Sequence, residues 1–188
     1  MVGQNQFAER VQQCAERLTA TGVDALGALF DLTSQRLVRF AIALTRNQHD
    51  AEDAVQTALV RIAGKPQLLR PVACPWAYLL RMVRNEALVI ARRKQRCPTT
   101  GDLTDLVTLC RVDELEREES HRAVWSAIRA LPPEQAEVVV LKIWEEMTFA
   151  QIGQILDTSP NTVASRYQYA MATLTRRLAR EHREVQRD

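Results

Sequence analysis

Residues 148–178 read TFAQIGQILDTSPNTVASRYQYAMATLTRRL, and this stretch decides the fold. Thr148 can cap a short helix running to Leu156, after which Asp157-Thr158-Ser159 makes a tight turn. Ser159 then caps a second helix with Pro160 at its first position, where the missing N–H would have had no helical partner. On that helix Val163, Tyr167, Ala170, Met171, Leu174 and Leu178 recur at helical spacing and are expected to face a core. Asn161, Thr162, Ser165, Arg166 and Tyr169 are left outside, near the N-terminus. Two helices joined by so short a turn form a helix-turn-helix, whose second helix enters the DNA major groove N-terminus first. Arg can bond a guanine edge through two donors, Asn an adenine edge, and Ser or Thr a phosphate. An antiparallel helix pair in a core shares the pattern, but polar groups gathered at the entering end favour DNA.

Upstream, Leu131-Pro132-Pro133 ends a helix carrying Trp125, Ile128 and Leu131 and starts another. The latter has Glu134 in its first turn and Ala136, Val139, Val140, Ile143 and Trp144 as its apolar set. Before this pair lies CPTTGDLTDLVTLCRVDELEREES, residues 97–120, which is turn-prone at Pro98 to Gly101 and then acidic, as a solvated linker would be. Charge divides the chain here: residues 30–97 hold twelve Lys/Arg against five Asp/Glu, residues 98–125 three against seven, and the whole chain nets +2. The expected fold class is all-α, with two small helical domains joined by a flexible acidic linker over residues 98–122.

In the basic half, the three prolines of KPQLLRPVACP require a loop, and Pro75 then opens a helix to about Arg96. At about 100° per residue, Trp76, Leu79, Leu80, Val83, Ala87 and Ile90 fall on one side. Arg81, Arg84, Asn85, Arg92 and Arg96 fall within an arc of about 120° on the other. Such a line of donors suits a phosphate backbone, and a solvated surface equally well. NQHDAEDAVQTALVRIAGK, residues 47–65, is a further helix with Ala51, Ala54, Val55, Ala58, Leu59 and Ile62 on one face and Gly64 as its stop. Ala25 to Thr45 reads as a helix or helix pair carrying Leu29, Leu32, Leu37, Phe40, Ala41 and Leu44, with an irregularity at Thr33 and Ser34. Within residues 1–24, Val11, Ala15 and Leu18 form one weak helical face to which no role is assigned.

Hydrophobic residues at 46% and charged residues at 26% are ordinary globular usage and exclude a disordered or collagen-like chain. Aromatics at 5%, with 6 Gly and 7 Pro, argue against a sandwich or barrel. No run approaches the ~18 apolar residues of a membrane span, and MVGQNQFAERVQQ lacks the segments of a signal peptide. A cytoplasmic protein without membrane insertion is expected. Cys14, Cys74, Cys97 and Cys110 are isolated and read as reduced thiols rather than a zinc site. His49, Asp50, Glu52 and Asp53 could suggest a metal-dependent hydrolase, but residues so close on one helix point in different directions. With no Gly-rich phosphate loop, nucleophile elbow or triad, the expectation is no catalysis, no metal site and no cofactor.

These motifs resemble those of the sigma-70 family, in particular its compact extracytoplasmic-function (ECF) members, which keep a region-2 and a region-4 domain joined by a linker. Three stretches between Leu29 and Leu178 carry the resemblance: DAEDAVQ (Asp50 to Gln56), PWAYLLRMVRNEA (Pro75 to Ala87), and the run from Ala130 through the helix-turn-helix. The resemblance implies a sigma factor directing promoter-specific initiation, with core RNA polymerase and promoter DNA as partners and an anti-sigma factor as a candidate third. It implies that Glu52, Asp53 and Gln56 dock on the clamp of the largest core subunit, although these carboxylates also suit a helix N-terminus. Arg81, Arg84, Asn85 and Arg92 would face the minus-10 element and its single-stranded bases. Asn161, Thr162, Ser165, Arg166 and Tyr169 would read the minus-35 element.

The implied domains are an N-terminal extension over 1–24, region 2 over 25–97, the linker over 98–122, region 4 over 123–180 and a tail over 181–188. Three features depart from the family pattern. The loop from Lys65 to Pro75 has no aromatic residue on which a base could stack, Glu146 stands where the family often has Gly, and residues 1–24 precede the usual start. The alternative is a helix-turn-helix regulator that occupies DNA without polymerase, which leaves DAEDAVQ and the basic first half without a purpose.

Overall fold

The computed structural model describes residues 2–70, 72–96 and 119–185. The chain divides into two units, Met1–Asp105 and Leu106–Asp188. Among the described residues all regular structure is helical, and no helix is long and apolar enough to cross a membrane. Of the expected linker, residues 98–118 lie outside the described residues, and residues 119–122 begin a helix.

In the first unit α1 (Val2–Thr21), α2 (Leu26–Thr45), α3 (Gln48–Gly64) and α4 (Pro75–Arg96) pack together. The irregular Thr33 does not split α2: it is fully buried, and its hydroxyl donates to the Leu29 carbonyl at 2.6 Å. A hydroxyl satisfied on its own helix can occupy an apolar seam. Arg46 closes α2 in the left-handed region at φ 58°, and Asn47 caps α3 by accepting from the Asp50 N–H at 2.9 Å. The six apolar residues expected on one face of α3 are all buried. Its antiparallel packing on α4 is pinned by ion pairs from Lys94 to Asp50 at 2.9 Å and from Arg61 to Glu86 at 2.8 Å.

The N-terminal helix, to which the sequence alone assigns no role, contributes to this core. Val11, Ala15 and Leu18 are buried together with Phe7, and α1 touches α2, α4 and the 3-10 turn Pro66–Leu69. Phe7 meets Trp76 edge-on with centroids 5.0 Å apart, and the Arg36 guanidinium lies 3.9 Å over the Phe7 ring. Such contacts add to the area an aromatic ring buries.

The second unit consists of α5 (Glu119–Arg129), α6 (Pro133–Ile143), α7 (Phe149–Leu156) and α8 (Pro160–Val185). Residues 136–141 of α6 are buried on all sides. Ile143, expected in the apolar set, is instead 43% exposed because α6 ends there, while Trp144 packs on Trp125 at 4.9 Å. Ile90 on α4 and Tyr167, Met171 and Leu178 on α8 are half-buried rather than buried.

Glu146, at φ 48°, occupies a left-handed conformation that favours glycine, so the residue that departs from the family pattern stands where a side chain is strained. The turn it makes brings Met147 N–H to the Leu141 carbonyl at 3.1 Å and lets Lys142 Nζ donate to the Met147 carbonyl at 3.0 Å. A side chain there costs about 1–2 kcal/mol, against about 0.4–1 kcal/mol for the added freedom of an unfolded glycine. Glu146→Gly should therefore stabilise the second unit by about 0.5–1 kcal/mol, read as a higher midpoint in calorimetry. A lower midpoint would mean that the contacts of the Glu146 side chain outweigh the backbone strain.

Candidate nucleic-acid interface

Local chemistry fixes the helix-turn-helix. Thr148 and Gln151 form a reciprocal capping box: the Gln151 N–H donates to Thr148 Oγ1 at 3.2 Å, and the Thr148 N–H donates to Gln151 Oε1 at 2.8 Å. At the other end of α7, Asp157 enters the left-handed region at φ 55°, which an Asp tolerates. The Asp157 and Thr158 N–H groups both donate to the Gly153 carbonyl. Gly153 is absent from the sequence-based expectations, though a glycine inside a short helix is a signal of close backbone approach. A Cβ at that position would stand 2.7 Å from the Thr158 carbonyl oxygen.

Ser159 Oγ accepts from the Thr162 N–H at 3.1 Å, so α8 begins where the sequence places it. Of the five residues expected to face DNA, Asn161, Thr162, Ser165 and Tyr169 are exposed, Tyr169 at 70%. The Thr162 hydroxyl lies 2.9 Å from Ser159 Oγ, and the Ser165 hydroxyl donates to the Asn161 carbonyl at 3.0 Å. Arg166 differs from the others: its side chain is 32% exposed, and its Nη1 lies 4.0 Å from Oε1 of the buried Glu137.

On α4, Arg81, Asn85 and Arg92 are exposed, and Arg84 is half-buried. The tertiary fold adds what the 65–75 loop lacks. Arg61, Gly64, Lys65, Leu68, Tyr78, Arg81, Met82 and Asn85 line an open cleft of about 630 Å³. Its aromatic residue comes from the helix: Tyr78, Arg81, Met82 and Asn85 share one face of α4 through their i, i+3, i+4 and i+7 spacing. That spacing was the available signal. Arg92 lies further along α4 and does not line the cleft.

The DAED segment separates by face. Asp50 turns inward to Lys94 and is 8% exposed, whereas Glu52, Asp53 and Gln56 are exposed. Gln48 Nε2 donates to Glu52 Oε1 at 2.8 Å, and His49 Nδ1 lies 4.0 Å from Glu52 Oε2. Val60, 62% exposed, continues the outer face of Asp53 and Gln56 at helical spacing. Among the described residues no group of three or more His, Cys, Asp or Glu side chains could hold a metal ion.

A helix-turn-helix in one unit and a basic, cleft-bearing bundle in the other suit contact with DNA, and comparison with known proteins specifies the family. Residues 29–97 match the family described as Sigma-70 region 2, and residues 121–174 match Sigma-70, region 4. The RNA polymerase sigma-E factor of Streptomyces avermitilis is 33% identical over 161 residues, covering 79% of this chain and 87% of its own. The ECF RNA polymerase sigma factor SigM of Mycobacterium tuberculosis is 31% identical, covering 82% of this chain and 77% of its own. The fold is similar to that of the sigma factor RpoE of Bartonella quintana, solved in complex with the anti-sigma factor NepR. That similarity has a TM-score of 0.65 at 23% identity, over 76% of this chain and 89% of RpoE. The chain belongs to the sigma-70 family, in its ECF branch, and as such is an RNA polymerase-binding factor that directs promoter-specific transcription.

Proposed function

We propose that the first unit carries both polymerase docking and minus-10 opening, and that the second reads the minus-35 element. Glu52, Asp53 and Gln56 on the outer face of α3, extended by Val60, meet the polymerase clamp. Arg81, Arg84, Asn85 and Arg92 track the minus-10 strand, and one unstacked base enters the cleft beside Tyr78. Asn161, Thr162, Ser165, Arg166 and Tyr169 face the minus-35 major groove, with the N-terminus of α8 aimed at phosphate. The protein acts in the cytoplasm and by binding alone, and the segment from residue 98 to the start of α5 links its two domains. An anti-sigma factor, the class of partner in the Bartonella quintana complex, is extended to this chain as its regulator.

The observation that carries the minus-10 assignment is the meeting of an aromatic ring with Arg61, Lys65, Arg81 and Asn85 in one cleft. Ring faces hold unstacked bases, each stack being worth about 1–3 kcal/mol, and cations hold the strand that delivers them. Tyr78→Ala should lower promoter opening by about thirtyfold, the middle of that stacking range, with its salt dependence unchanged. Arg81→Ala should instead make the salt dependence shallower, by about one counterion for each phosphate the side chain no longer neutralises. Permanganate footprinting across a salt series reads both. Parental opening by both variants would return the cleft and the stripe to solvated surface.

A further inference from the structure

Glu137 is a carboxylate in the centre of the second unit, 1% exposed on a helix buried along most of its length. A charge so placed is costly unless it is paired, and breaking such a pair from one side is more costly still. One of its contacts reaches the DNA-facing helix: Arg166 Nη1 stands 4.0 Å from its Oε1. That separation is an ion pair without a direct hydrogen bond, so the guanidinium is drawn inward while its donors remain available to another acceptor. Arg166 is the only cation among the five residues that α8 offers to DNA.

We propose that Glu137 is a positioning residue that holds Arg166 for base reading and keeps it from swinging to the phosphate backbone. The inference rests on the assignment of α8 to the minus-35 element. An untethered Arg gives up rotamer freedom when it meets a base edge and can satisfy itself equally on any phosphate, which carries no sequence information. A tethered one has already surrendered that freedom and approaches from one direction, as bidentate recognition of a base requires.

The test uses full-length protein in reconstituted polymerase, on a promoter found by sequencing the transcripts it starts, with every base of the upstream element substituted in turn. Arg166→Ala should abolish preference at one or two positions. Glu137→Gln, which keeps the shape and removes the charge, should reduce preference at those same positions by about five- to tenfold. The double variant should be no worse than Arg166→Ala, the non-additivity expected of residues acting through one contact. Glu137→Asp, which keeps the charge but withdraws it by one methylene, should show a smaller loss at the same positions and serves if Glu137→Gln melts below the assay temperature. A uniform loss at all sequences from the Glu137 variants, or parental preference, would overturn the positioning role while leaving Arg166 as a reader. An unchanged pattern in Arg166→Ala would instead overturn the reading of the minus-35 element by Arg166, and the positioning role with it.

Discussion

Asp53→Arg will leave the first unit folded and abolish retention of the protein by core polymerase in a pull-down. Asp53 is exposed and lies beyond the first turn of α3, in which Asp50 is the acidic residue. Because the helix dipole acts within the first turn, the charge at position 53 does not hold the helix together. Nor does the substitution touch the ion pairs between α3 and α4, which are made by Asp50 with Lys94 and by Arg61 with Glu86. Arg is also the better helix former. If Asp53 meets basic groups on the polymerase, as the docking proposal requires, a reversed charge costs several kcal/mol, and about 3 kcal/mol is already more than a hundredfold in affinity. Circular dichroism separates the two explanations. A variant that loses helix supports a role in helix stability, and a folded variant with parental affinity removes Glu52, Asp53 and Gln56 from docking.

Gly153→Ala will destabilise the second unit by about 2 kcal/mol and weaken minus-35 binding further than stability alone explains. The new methyl would meet the Thr158 carbonyl oxygen at 2.7 Å, a backbone atom of the turn, which cannot step aside as a side chain can. Overpacking of this kind costs about 1–3 kcal/mol, and pushing the turn away also weakens the two N–H bonds to the Gly153 carbonyl, each worth about 1 kcal/mol. Alanine returns about 1 kcal/mol through helix propensity, which is too little to compensate. Because the displaced turn sets where α8 begins, the error is carried into the end proposed to enter the groove. Calorimetry and upstream-element binding at a temperature where the variant stays folded measure the two effects. A parental midpoint would show that the turn does not pack on Gly153 as described.

The all-α class, the helix-turn-helix and the course of α3 and α4 were determined by the sequence alone, because their signals are local. The Thr148–Gln151 capping box, the Ser159 cap with Pro160 behind it and the apolar spacing of α3 are all interactions within a few residues. Where a side chain finds its partner on another helix, contiguous sequence held no instruction. The sequence offered Asp50, Glu52 and Asp53 as one acidic cluster, and only packing against Lys94 turned Asp50 inward while the other two stayed in solvent. It placed Tyr78 on a helix and the basic turn in a loop, and the fold made them walls of one cleft. It showed α1 as a weak face, and the ring of Trp76 together with the Arg36 guanidinium made Phe7 part of a core. Nothing in the sequence singled out Glu137, and only burial within the second unit brought its charge to Arg166. Periodicity says which residues share a face of their own helix, but burial and pairing depend on what that face meets, and the meeting is set by helix packing over the whole unit.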